Sequence, residues 1–251
     1  MRIALISDLH ERKADEVLGL LKNSAPDLIA VAGDTFERRS FDDGSPFAKY
    51  SYSMPRRAFL TVAFDINWFF MRVFGKRNMP DTQNSYDFLE QAARLAPVFL
   101  SLGNHDPKLT EEDKAFLRKN GITLLDNADT LYESGGNLLQ IGGLSSYANE
   151  AWLDSFAQKE GFKLLLCHHP EYYDLLLSDM TIDLILAGHN HGGQIRMFRR
   201  PLFSAGGGVM PKYGYGMYHD RMIVSAGCSN TVAMPRVNNP YELVVVNLKP
   251  R

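Results

Sequence analysis

Two cysteines, two tryptophans and no apolar run long enough to span a bilayer limit what this 251-residue chain can be. With Cys167 and Cys228 alone, neither a disulfide framework nor a zinc site of three or four thiolates is available. Charge of one sign is also lacking. The chain sets 27 Lys+Arg against 29 Asp+Glu, a net charge of −2, which argues against a non-specific nucleic-acid binder. Met1-Arg-Ile-Ala-Leu-Ile-Ser-Asp8 turns polar too soon for an export signal, so the chain reads as cytoplasmic. The stretch 58–74 is apolar, but Asp65, Asn67 and Arg72 inside it make it too polar to span. What remains is a chain 45% hydrophobic and 22% charged, which excludes disorder as its main theme.

Short apolar runs rich in β-branched residues recur at 3–6, 28–31, 98–102, 138–141, 163–167 and 184–187, each ending in Gly, Asp, Asn or His. They read as buried strands. Helical patterns at 14–23, 83–95 and 110–120 lie between them, which predicts βα units with parallel strands and an α/β or mixed α+β class. Thr110-Glu-Glu-Asp opens the third helix as a capping box, and Asn120-Gly121 closes it. The Val-rich segment 242–248 reads as a last strand, whereas 204–208 and 213–216 read as Gly-rich loops.

Six of the seven histidines fall directly after predicted strands, together with acidic or amide side chains. The clusters are Asp8 and His10, Asp34, Asn104 and His105, His168 and His169, and His189 and His191. Ligand sites of open α/β sheets assemble at the carboxyl ends of strands, so five dispersed clusters can converge on one rim. Imidazole with carboxylate suits Zn, Mn, Fe, Ni or Co, and a carboxylate can bridge two ions. Asp34, the lone carboxylate of its cluster, is the natural bridge. Asn104 offers a neutral oxygen that does not repel a phosphate. His219 lies outside every cluster and reads as a surface loop residue. Alternation along its strand sends the Cys167 thiol to the face away from the cluster, as a buried structural residue.

Ser7-Asp8-Leu9-His10, Gly33-Asp34, Gly103-Asn104-His105-Asp106, His168-His169-Pro170 and Gly188-His189-Asn190-His191 resemble the five ordered blocks of the calcineurin-like metallophosphoesterase superfamily. Gly192-Gly193-Gln194-Ile195-Arg196 and Arg236-Val-Asn-Asn-Pro240 are similar to its bacterial YkuE/YaeI-type phosphodiesterase branch. The resemblance implies one domain over 1–251 with a four-layer αββα sandwich of two mixed sheets. It also implies two divalent metal ions, drawn from Mn, Fe, Zn, Ni or Co. Asp8, His10, Asp34 and His191 would hold the first, and Asp34, Asn104, His168 and His189 the second. His168 is preferred to His169 because the family motif is His-x-Pro, and the role of His169 stays open. His105 corresponds to a non-ligating histidine that contacts the phosphate and protonates the leaving oxygen, oriented by Asp106. The resemblance further implies that Asn104 and His105 would face the substrate and that the two cations would supply the hydroxide that attacks phosphorus.

The activity so implied is that of a phosphodiesterase acting on a small-molecule or lipid-linked phosphate ester. A pyrophosphatase of a nucleotide- or lipid-linked diphosphate, similar to a UDP-diacylglucosamine hydrolase, is the alternative within the enzyme class. A non-catalytic metal-binding scaffold is the alternative outside it. Residues 38–82 exceed what one βα unit needs and read as an insertion, in which 55–77 is an apolar helix with a basic collar of Arg56, Arg57, Lys76 and Arg77. Such a helix packs on the domain, forms a dimer contact, or meets the inner membrane face as a peripheral contact or lid.

Overall fold

The computed structural model describes residues 1–38, 80–134, 136–198, 200–204, 208–231 and 234–249. Most of the insertion, including 55–77 and its expected helix, lies outside them. The elements begin β1 (Arg2–Ile6), α1 (Asp15–Ser24), β2 (Leu28–Ala32), α2 (Thr82–Ala93), β3 (Val98–Ser101), α3 (Glu111–Lys119), β4 (Thr123–Leu125), β5 (Ala128–Ser134) and β6 (Asn137–Leu144). They continue α4 (Glu150–Ala157), β7 (Phe162–Cys167), a π-helical turn (Tyr173–Leu177), β8 (Leu184–Ala187), β9 (Ile195–Met197), β10 (Arg200–Ser204), β11 (Gly208–Val209), β12 (Gly216–Tyr218), β13 (Met222–Val224) and β14 (Val244–Asn247).

Two mixed sheets carry the fold. One has the order β14-β1-β2-β3-β4, with β1 to β4 parallel and β14 antiparallel on β1. The other has the order β12-β13-β8-β7-β6-β5, parallel from β13 to β6 and antiparallel at both edges. Strand alternation divides the apolar residues between two faces. Ile3, Leu5, Leu28 and Ala30 of the first sheet meet Ile141, Leu164, Leu166 and Leu186 of the second in one inner core. The alternate residues Ala4, Ile6, Ile29 and Val31 pack outward against Val17 and Leu21 of α1 and Phe88 of α2. On the far side Leu165, Cys167 and Ile185 pack against Leu153 and Phe156 of α4 and Tyr173 of the π-helical turn. The order is therefore helix, sheet, sheet, helix, the expected αββα sandwich. Strands buried on both faces read as unbroken apolar runs, which is why the sequence reveals them.

The capping box at Thr110 forms as expected: its hydroxyl accepts from the Asp113 amide, and the Asp113 carboxylate accepts from the Thr110 amide. The expected loops at 204–208 and 213–216 need correction, because β10 and β11 pair at Ser204↔Gly208 and β12 starts at Gly216. Strands of two to five residues interrupted by Pro and Gly are too short to show a period.

Candidate metal centre

All five motif loops leave the carboxyl ends of β1, β2, β3, β7 and β8, and within each sheet these strands are parallel. The loops therefore emerge on one rim. Their approach is close enough to dictate residue size. A Cβ on Gly103 would lie 2.0 Å from Asp34 Oδ1, and one on Gly188 would lie 2.7 Å from Asp8 Oδ2. Those glycines are in the motifs because neighbouring loops occupy the space a side chain needs. The turns are also strained. Asp8, His10, Asp34, His189 and His191 all have left-handed backbone, with φ between 46° and 74°. Non-glycine residues adopt that region at a cost, and such positions cluster where a site must aim side chains.

Asp34 is central. Its Oδ1 accepts from the His105 amide at 2.8 Å, and its Oδ2 lies 3.0 Å from His168 Nε2 and 3.5 Å from His10 Nε2. Asp8 Oδ1 lies 3.6 Å from His191 Nε2 and 3.9 Å from His10 Nε2, and it accepts from the His189 amide. The candidate ligand atoms of Asp8, His10 and His191 all fall within 4.8 Å of one another, as do those of Asp8, Asp34 and His168. His168 Nδ1 donates to the Ala32 carbonyl at 2.8 Å, which fixes the ring and turns Nε2 inward. Two further polar atoms of the motifs, His10 Nε2 and Asn104 Oδ1, are buried without a hydrogen-bond partner, and His168 Nε2 is buried against Asp34 Oδ2. Buried polar atoms are normally satisfied, so this donor set fits a cation.

Electrostatics agree with that donor set. Burial pushes the His189 imidazole down to about 3, helped by His168, and pushes His191 down to about 4, so both rings are neutral near pH 7. Burial opposes the Asp8 and Asp34 carboxylates, yet the surrounding histidines hold both below the usual carboxylate range. The same field acts in reverse on His168. Burial lowers it, but Asp34 and Asp8 outweigh burial and raise it to about 10. Divalent charge held by these groups would offset the buried carboxylates.

Residues 1–193 match the calcineurin-like phosphoesterase family. The chain belongs to this family. Among relatives, an uncharacterized metallophosphoesterase, YkoQ of Bacillus subtilis (strain 168), is 26% identical over 259 residues, covering 97% of this chain and 82% of that one. YpbG of the same organism, an uncharacterized protein, is 24% identical over 255 residues, covering 99% and 81%. Phosphodiesterase YaeI of Escherichia coli (strain K12) is 32% identical over 116 residues, covering 44% and 43%. Family membership makes the chain a metal-dependent phosphoesterase.

In this member of the family, the seven side chains expected as ligands, Asp8, His10, Asp34, Asn104, His168, His189 and His191, lie on the one rim. His105 joins them there, its ring edge on His10 with centroids 4.5 Å apart. Asp106 has a backbone role that the sequence did not reveal. Its carboxylate accepts backbone amides of Gly103, Asp34, Thr35 and Phe36, clasping the loops after β2 and β3 together. Burial, with Asp34 beside it, raises this carboxyl to about 6 against those bonds. The partner of the His105 ring is Glu37, whose Oε2 lies 2.8 Å from His105 Nδ1 and whose Oε1 lies 2.9 Å from His10 Nδ1. Sequence reading passed over Glu37, although a second carboxylate three residues after Asp34 in the same loop was a usable signal. It also gave Arg236 no contact. The Arg236 guanidinium meets His191 Nδ1 at 3.3 Å and the Ser229 carbonyl, while Asn239 Nδ2 donates to the His191 carbonyl. His169 Nε2 meets Ser146 Oγ at 2.9 Å, and its ring packs edgewise on His189. His219 lies in the turn after β12, stacked on Tyr173.

Proposed function

We propose that the chain is a phosphodiesterase whose site holds two divalent cations with Asp34 between them. Asp8, His10, Asp34 and His191 would hold one, and Asp34, Asn104, His168 and His189 the other. The observation that carries this reading is the approach of two buried imidazole nitrogens, His10 Nε2 and His168 Nε2, to the Asp34 carboxylate, with Asn104 Oδ1 of the neighbouring motif buried and unpartnered. When bound, such a pair polarises the phosphate and lowers the pKa of a water to the neutral range.

The chain's own groups do the rest. Glu37 holds His105 by Nδ1, and a quarter of the His105 side chain stays exposed at the rim. Its Nε2 would protonate the leaving oxygen, a role that typically contributes ~10²–10⁴-fold. Asn104, as a neutral ligand, limits negative charge where the substrate phosphate arrives. Asp106 sets the spacing between the Asp34 and Asn104 loops. Similarity to a relative named a phosphodiesterase favours the diester.

The test is turnover of bis-p-nitrophenyl phosphate, p-nitrophenyl phosphate and a UDP-linked lipid by protein reconstituted separately with Mn, Ni, Zn and Fe. The expected result is preferred cleavage of the first, with two ions bound per chain by elemental analysis. Preferred cleavage of the diphosphate would overturn the diesterase assignment, and no turnover with any metal would leave only a metal-binding scaffold.

A further inference from the structure

The segment that follows the metal loop leaves the rim and builds a small sheet of its own, β9-β10-β11, antiparallel throughout. Its register puts Ile195, Phe203 and Val209 on one face, and Met197 follows Ile195 by the strand period of two. The other face, through Arg196 and Pro201, turns inward: Arg196 is buried, and a Cβ on Gly193 would lie 2.4 Å from Pro201. The outer face and its two ends are apolar and open to solvent. Phe198 is 88% exposed, Met210 65%, Val209 57% and Met197 51%. Single exposed apolar side chains are ordinary, but Met197 and Val209 on the strands, with Phe198 and Met210 in the positions directly after them, gather on one small sheet in the way that marks an interaction surface.

Charge identifies the partner. Residues 184–219 contain no Asp or Glu, yet hold Arg196, Arg199, Arg200 and Lys212, in a chain whose net charge is −2. Lys212 is paired with Asp174, which leaves the exposed Arg200, opposite Met197 in the register, as the cation beside the apolar face. Backbone conformation points the same way. Phe198 occupies the hairpin tip with φ 49°, where Gly or Asn would sit without strain. A large aromatic held outward in a left-handed turn adds nothing to the core.

We propose that this hairpin docks on an anionic lipid bilayer, with Phe198, Met197 and Met210 entering the boundary between headgroups and acyl chains and Arg200 meeting lipid phosphates. No helix among the described residues is long and apolar enough to cross a membrane. Gly193, which packs on Pro201 of the hairpin, is two residues from His191.

The experiment is co-sedimentation of the whole chain with vesicles of phosphatidylcholine alone and of phosphatidylcholine with phosphatidylglycerol. The parent protein is expected to bind the anionic vesicles and to release as salt rises. The double variant Phe198→Asn/Met210→Ser should weaken binding at least about tenfold, as expected when two large apolar groups no longer leave water. Arg200→Glu should abolish the preference for anionic vesicles. Turnover of a soluble p-nitrophenyl ester should match the parent in every variant, which separates this surface from the metal chemistry. Failure of the parent to sediment, or equal binding by parent and double variant, would overturn the inference. So would a concentration-dependent dimer that Phe198→Asn dissolves, which would assign the face to a second copy of the chain.

Discussion

Glu37 places Oε2 2.8 Å from Nδ1 of His105, while its other oxygen reaches His10. Burial would raise this carboxyl, but hydrogen bonds from the two rings hold it at about 2, so it is ionised near pH 7. One carboxylate thus orients both the proposed proton donor and a proposed metal ligand. Glu37→Gln keeps the shape and removes the charge. Its kcat should fall by roughly 10²-fold, the scale of a misplaced general acid, with metal content near that of the parent. His105→Ala should match or exceed that loss with metal retained. Turnover alongside elemental analysis checks both, and metal loss in Glu37→Gln equal to the activity loss would make Glu37 a ligand support only.

Asp8→Asn and His189→Ala act on the cations instead. Each removes a proposed ligand without opening a core cavity, so activity and metal stoichiometry should fall together while far-UV circular dichroism stays that of the parent. An active, fully loaded Asp8→Asn protein would contradict the ligand assignment.

Away from the cations, Arg38 anchors the described start of the insertion. Its Nε and Nη2 donate to the two oxygens of Asp113 at 2.8 Å each, and Nη1 donates to Glu11. Asp113 also accepts from the Tyr86 hydroxyl and completes the cap of α3. Asp113→Ala should cost about 1–3 kcal/mol, because it removes two hydrogen bonds of the Arg38 guanidinium, which keeps Glu11, and a helix cap in one step. Burial opposes the charge of Asp113, yet Arg38, Thr110 and Tyr86 hold its pKa down from 3.8 to about 2. A depressed carboxyl stabilises fully above its unfolded pKa and loses that contribution as pH falls through the folded one. Denaturant unfolding should therefore show the parent losing stability between pH 4 and pH 2, with a smaller loss in Asp113→Ala.

Two glycines should respond oppositely to alanine. At Gly103 the new Cβ would meet Asp34 Oδ1 at 2.0 Å, and the loops must separate to accept it. Gly103→Ala should lose metal and melt lower. Gly19, inside α1, has no neighbouring atom within 4 Å of its would-be Cβ. Gly19→Ala should stabilise by about 0.5–1 kcal/mol through helix propensity alone, with activity unchanged. Thermal melts with metal analysis separate the two cases.

The strands buried on both faces, the helix opened by Thr110 and the seven prospective ligands were legible in the amino-acid order. An unbroken apolar run, a cap and a histidine beside a strand end are local signals, and each is complete within a few residues. Which groups those residues would meet was not local. The packing set Asp106 against the amides of Asp34, Thr35 and Phe36, some seventy residues earlier. Glu37 acquired its two histidines, and Arg236 its contact with His191, because two sheets closed face to face and carried separate loops onto one rim. Residue types settled which chemistry was available. Tertiary packing decided which side chain serves which, because hydrogen bonds a few ångströms long join positions whose separation along the chain leaves no periodic trace.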